Sequence, residues 1–90
     1  MNELEIKTKI KQILIDVLKL TVDGPDSLKD DQPLFGTENE PGLFEDSLMV
    51  LEVTSVMMSE FDVPPSIFGE NSFQTVNTLV KVIIDYKKKL

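Results

Sequence analysis

The chain has 90 residues and a formal net charge of −7, and it contains neither cysteine nor histidine. That excludes disulfides, thiolate metal sites and a cysteine nucleophile, removes the commonest general base, and leaves a single small core burying about 60% of the unfolded surface, with little room for a deep active site. All nine basic residues are Lys and none falls between Asp30 and Val80, a stretch with ten acids; such one-sided charge steers basic partners and disfavours nucleic acid, whose phosphates need Lys and Arg.

In chain order, Ile6, Ile10, Ile13, Leu14, Val17 and Leu18 recur at helical spacing, with Lys7, Lys9, Lys11, Gln12 and Asp16 between them. This pattern predicts an amphipathic helix of about four turns. Breaking signals follow at Asp23-Gly24-Pro25-Asp26 and Asn39-Glu40-Pro41-Gly42, so one long connection is expected from Thr21 to Asp46. Connections of that length pack through their own apolar residues or serve a function. Leu28, Leu34, Phe35, Leu43 and Phe44 are available for packing.

A second helix is predicted from Ser47 to Phe61, because Glu45 and Asp46 sit where a helix N-terminus is electropositive and Asp or Ser caps its free amides. Val50, Val53, Met57 and Phe61 share one stripe, and Leu48, Glu52, Ser55 and Ser59 lie opposite. Met49 and Val56 flank one side of this stripe and Leu51 and Met58 the other, so the helix is apolar over most of its girth, more than a small protein buries. Pro64-Pro65 is expected to stop it, with a short helical turn from Pro65 to Phe68 before Gly69. A last helix from Thr75 to Lys88 carries the stripe Val76, Leu79, Val80, Ile83 and Ile84, and its Lys87-Lys88-Lys89 end suits the helix dipole. No period-two alternation argues a sheet. An all-α bundle of three main helices plus one short helix, in one domain over 1–90, is the expected fold. Apolar runs are too short to span a bilayer and the first residues do not resemble a signal peptide, so a cytoplasmic protein without membrane insertion is expected.

The order of parts, with Asp46-Ser47-Leu48 opening an apolar-acidic helix, then Glu52, Glu60-Phe61-Asp62, Pro64 and Thr75-Val76, resembles the acyl carrier proteins over Ile6 to Ile84. The resemblance implies an acyl-carrier-like bundle, in which Ser47 matches the serine that accepts 4'-phosphopantetheine from coenzyme A, flanked by Asp46 and Leu48. It implies a non-enzymatic, monomeric, free-standing carrier of acyl thioesters, loaded by a phosphopantetheinyl transferase and served by acyl-loading and acyl-processing enzymes of fatty-acid, lipid or polyketide synthesis. Their basic or apolar patches would dock on Glu45, Leu48, Met49, Glu52 and Val56. Val50, Val53, Met57, Phe61, Val76, Leu79 and Ile83 would line an acyl-chain cavity; the same residues are equally ordinary core. A helix N-terminus also suits the attached phosphate, since free amides and the dipole stabilise an anion there.

The chain departs from the family pattern where Met49, Met58 and Ser59 occupy places that are acidic in fatty-acid carriers, where Glu45 precedes the Asp, and where the loop around Glu38 to Gly42 is longer. These departures predict a specialised carrier with a more apolar docking face. A second Asp-Ser-Leu, Asp26-Ser27-Leu28, has no amphipathic helix behind it and is expected to be a turn. Competing readings are an aminoacyl or peptidyl carrier, and a small helical adaptor whose second helix binds a partner without any prosthetic group. An enzyme using Glu45, Asp46 or Glu52 lacks a nucleophile–base pair, a phosphate loop or a metal cluster to accompany them. The acidic loop also lacks the ligand spacing of an EF-hand.

Overall fold

Three α-helices, α1 (Glu3–Leu18), α2 (Ser47–Phe61) and α3 (Val76–Lys88), carry the fold in the computed structural model, which describes residues 2–34, 42 and 47–89. No strand occurs among the described residues; the only pairing of that kind is an isolated antiparallel bridge between Pro33 and Thr75. Helix α1 packs against both α2 and α3. No helix among the described residues is long and apolar enough to cross a membrane.

The apolar stripes expected from the sequence are the faces that meet. Ile6, Ile10, Ile13 and Leu14 of α1, Val53, Met57 and Phe61 of α2, and Val76, Leu79, Val80 and Ile83 of α3 are all buried in one cluster. Each fully buried side chain of this kind contributes about 1.5–3 kcal/mol. Burial is what makes α2 a helix, since Val50, Val53, Thr54 and Val56 are β-branched and have weak helical preference of their own. The Thr54 hydroxyl donates back to the Val50 carbonyl at 2.7 Å, the bond by which a mid-helix Thr satisfies its hydroxyl within the helix.

Helix ends are set by local chemistry. Asn2 caps α1, its side chain accepting from the Glu5 amide at 2.8 Å. Lys19 closes that helix in the left-handed conformation at φ 55°, and the Leu20 amide reaches the Ile15 carbonyl at 3.0 Å. Helix α2 stops in the same way and before its prolines: Asp62 turns left-handed at φ 53° and the Val63 amide reaches the Met58 carbonyl at 3.2 Å. Pro64-Pro65 therefore follows a stop already made by Asp62, one of the few residue types that tolerates this conformation. The short turn expected after it is present as a 3-10 turn over Pro65–Ile67, but a second one, Glu70–Phe73, follows directly. Phe68 and Phe73 pack ring against ring across this region, centroids 5.7 Å apart.

Much of the connection between α1 and α2 is structured. Asp26 and Ser27 lie in a 3-10 turn, Pro25–Ser27, which the extended Leu28 caps, in keeping with the turn expected for this tripeptide. Leu28 and Leu34 are buried in the core; Phe35, Leu43 and Phe44, the other residues expected to pack there, lie outside the described residues. Residues 30–34 run along the entry to α3. The Leu34 amide donates to the Gln74 carbonyl at 3.0 Å, and the carbonyls of Gln32 and Asp30 accept from the amides of Val76 at 3.3 Å and Asn77 at 2.8 Å. Pro33, at the centre of the bridge, has no N–H, so its neighbours carry the pairing. The first amides of α3, which a helix cannot satisfy itself, are thus bonded by this strap, and the next by Thr75, whose hydroxyl accepts from Thr78 at 3.2 Å. The Thr78 hydroxyl accepts from the Thr75 amide at 3.0 Å, completing a reciprocal cap.

Candidate functional site

Ser47 is the first residue of α2, where the sequence placed it. The N-terminal end of a helix carries the positive end of its dipole, which is what makes such a position suited to an attached phosphate. Asp46 and Glu45, expected to cap this end and to dock partners, lie outside the described residues. So do the other residues of the Glu38 to Gly42 stretch except Gly42 itself.

Behind Ser47, α2 presents two different surfaces. Leu48, Leu51, Glu52, Ser55 and Ser59 are exposed, with Leu48 and Leu51 showing 65% and 62% of their surface to solvent. Val53, Met57 and Phe61 face the core, and Val50 is half-buried against it. Of the expected docking residues, Leu48 and Glu52 therefore share the open face. Met49 and Val56 are half-buried and packed against the core, so they edge that face rather than project from it. Leu51 takes a place on the open face that sequence reasoning gave only to the flank. The signal was available, because Leu51 stands one helical turn from Leu48 and from Ser55.

The expected cavity residues do come together: Val53, Met57, Phe61, Val76, Leu79 and Ile83 all belong to the one buried cluster, with Val50 at its edge. Phe61 and Ile83 also reach a cavity of about 360 Å³ lined by Ile6, Glu60, Asp62 and Lys87. This cavity lies at the C-terminal end of α2, the end away from Ser47. Nearby, Glu60 pairs with Lys9 of α1 at 3.2 Å.

One charged group was not foreseen as a partner-forming residue. Asp30 accepts from Lys11 at 2.7 Å and from Lys7 at 2.9 Å, joining the strap to α1. The Lys11 hydrogen bond first, and the Lys7 one second, hold the Asp30 carboxyl down to about 2 from its ordinary 3.8. Conversely, the hydrogen bond to Asp30 raises Lys7 above its ordinary value. Lys11, read from sequence as part of the polar side of α1, is buried because Asp30 gives its ammonium a partner at the edge of the core. Among the described residues no group of His, Cys, Asp or Glu is arranged to hold a metal ion.

No protein-family model, curated protein or solved structure matches this chain. The class that the described structure defines is an all-α protein of three helices with additional 3-10 turns.

Proposed function

We propose that this chain is an acyl carrier protein, holding acyl groups as thioesters on a 4'-phosphopantetheine arm attached to Ser47 and presenting them to partner enzymes. The observation that carries this reading is the placement of Ser47 on the first residue of a helix whose outward face joins exposed Leu48 and Leu51 to Glu52. A carrier needs a hydroxyl at an accessible helix start and a recognition surface beside it. It needs no base or nucleophile of its own, which suits a chain without His or Cys.

The residues present fit the prosthetic group in two respects. The backbone at Ser47 begins a helix of 15 residues, whose N-terminal dipole favours the phosphodiester. Leu48, directly after it, is exposed, which puts an apolar contact point beside the attachment residue. When attached, the arm supplies the thiol that the protein lacks. The chain's own residues then serve recognition: Glu52 attracts basic groups of the transferase and of the acyl-processing enzymes, while Leu48 and Leu51 give apolar contact. With Met49, Met58 and Ser59 in place of acids, docking relies more on apolar contact and less on charge than in fatty-acid carriers, the mark of a specialised member.

Incubation with a broad-specificity phosphopantetheinyl transferase and coenzyme A, followed by intact mass measurement, tests this. The expected result is a gain of one phosphopantetheine, lost in Ser47→Ala and kept in Ser27→Ala. A folded protein that gains nothing from either that enzyme or its cognate transferase would leave the adaptor reading, in which the face of α2 binds a partner without any prosthetic group.

A further inference from the structure

Residues 28–34 are held to the bundle differently from the helices around them. Two side chains, Leu28 and Leu34, anchor them in the core. Three backbone hydrogen bonds tie them to residues 74–77, and Asp30 alone makes the ionic link to α1. Asp30 is a two-sided clasp: its carboxylate holds Lys7 and Lys11 of α1, and its carbonyl holds the Asn77 amide of α3 at 2.8 Å. The clasp is also half open to solvent, with 49% of the Asp30 side chain exposed. Helix α1, which buries Ile6, Ile10, Ile13 and Leu14, is held besides by the hydrogen bonds of its own 16-residue helix. Segments with few buried contacts and exposed bonds open at lower free energy than the core, as cooperative units.

We propose that residues 28–34 form a latch that leaves and rejoins the bundle as one unit, with Asp30 as its clasp. Opening removes Leu28 and Leu34 from the core and strips the partners from the first two amides of α3. It thereby uncovers the apolar interior beside Val76, at the end of the bundle where the strap pairs with residues 74–77. Cations are the natural lever, since salt or a basic group of a partner competes with Lys7 and Lys11 for an exposed carboxylate.

Amide hydrogen exchange followed by NMR on the whole chain distinguishes a latch from a static loop. The Leu34, Val76 and Asn77 amides, which lie on both sides of the contact, are expected to share one protection level below that of Ile10 and Ile83. In Asp30→Asn, and in the unmodified protein as sodium chloride is raised, that shared protection falls by a common factor of about two to five, while Ile10 and Ile83 change little. Lys7→Gln, which leaves buried Lys11 paired with Asp30, lowers the same three amides together and serves if Asp30→Asn does not fold. The proposal is overturned if the three amides exchange at unrelated rates, if they are as protected as Ile83, or if loss of the ion pairs leaves them unchanged.

Discussion

Leu34→Ala measures whether the strap belongs to the cooperative fold. Leu34 is fully buried although it lies outside every helix, and truncating a buried Leu costs about 2–5 kcal/mol, more where the site cannot collapse. A strap with only a short bonded contact relaxes more readily than a helix, which places the expected loss at about 2–3 kcal/mol. In a domain of this size each kcal/mol lowers the melting temperature by about 4–8 °C, so the shift is roughly 8–24 °C. Leu51→Ala is the matched control: it removes the same atoms from a position that is 62% exposed, where the change stays within about 0.5 kcal/mol. Thermal and urea unfolding followed by circular dichroism reads both. The substitution leaves the Leu34 amide and its acceptor, the Gln74 carbonyl, in the chain, so the group removed is the buried side chain. A Leu34→Ala protein as stable as Leu51→Ala would refute the reasoning, since the strap would then add nothing to the folded unit.

Thr75→Ala removes the hydroxyl that accepts from the Thr78 amide and is expected to cost about 1 kcal/mol in urea unfolding, with Thr75→Ser close to the unmodified protein. Stability should fall on acidification in a way that Asp30→Asn abolishes. The Asp30 carboxyl is lowered from 3.8 to about 2 in the fold, so its contribution is complete above the unfolded value and is lost as pH drops through about 2; urea midpoints taken across that interval for both proteins check it. Glu52→Lys reverses an exposed charge on the open face of α2 and should leave the melting temperature nearly unchanged while slowing transfer of phosphopantetheine to Ser47. An unchanged transfer rate would remove Glu52 from the docking surface.

The three helices were legible because their signals are local. The i, i+3, i+4 stripes of α1, α2 and α3 and the separation of Leu48, Glu52, Ser55 and Ser59 from Val53, Met57 and Phe61 follow from helical period alone. Contacts between distant segments carry no such period. Nothing near Asp30 announces that its carboxylate meets Lys7 and Lys11 and its carbonyl meets Asn77. For the same reason Lys11 read as a surface residue, although it stands only a short turn around the helix from Leu14. The end of α2 at Phe61 agrees with its expected bound, but the stop is made by Asp62 in the left-handed conformation and not by the stronger breaker beyond it, Pro64-Pro65. The cap of α3 pairs Thr75 with Thr78 instead of with the Glu or Gln that usually marks such a box, and the 3-10 turn over Glu70–Phe73 has no apolar period to reveal it.

The outward faces of the helices also differ in a way that bears on the proposed carrier role. Helix α3 turns Asn77, Lys81, Asp85 and Lys88 to solvent, and α1 turns Glu5, Thr8, Gln12 and Asp16, with Leu4 the apolar exception. Helix α2 instead exposes Leu48 and Leu51 within its first two turns. Burying either side chain would contribute about 1.5–3 kcal/mol, and the fold draws comparable stabilisation from Leu28 and Leu34 of the connection. A single exposed Leu needs no explanation; two on one face, a turn apart and next to Ser47 and Glu52, form an apolar surface with an acidic edge. The fold thus fills its core partly from the loop while α2 keeps apolar side chains outside. That division of labour is the one a carrier requires, because its recognition surface must stay open to successive partners while its interior stays packed.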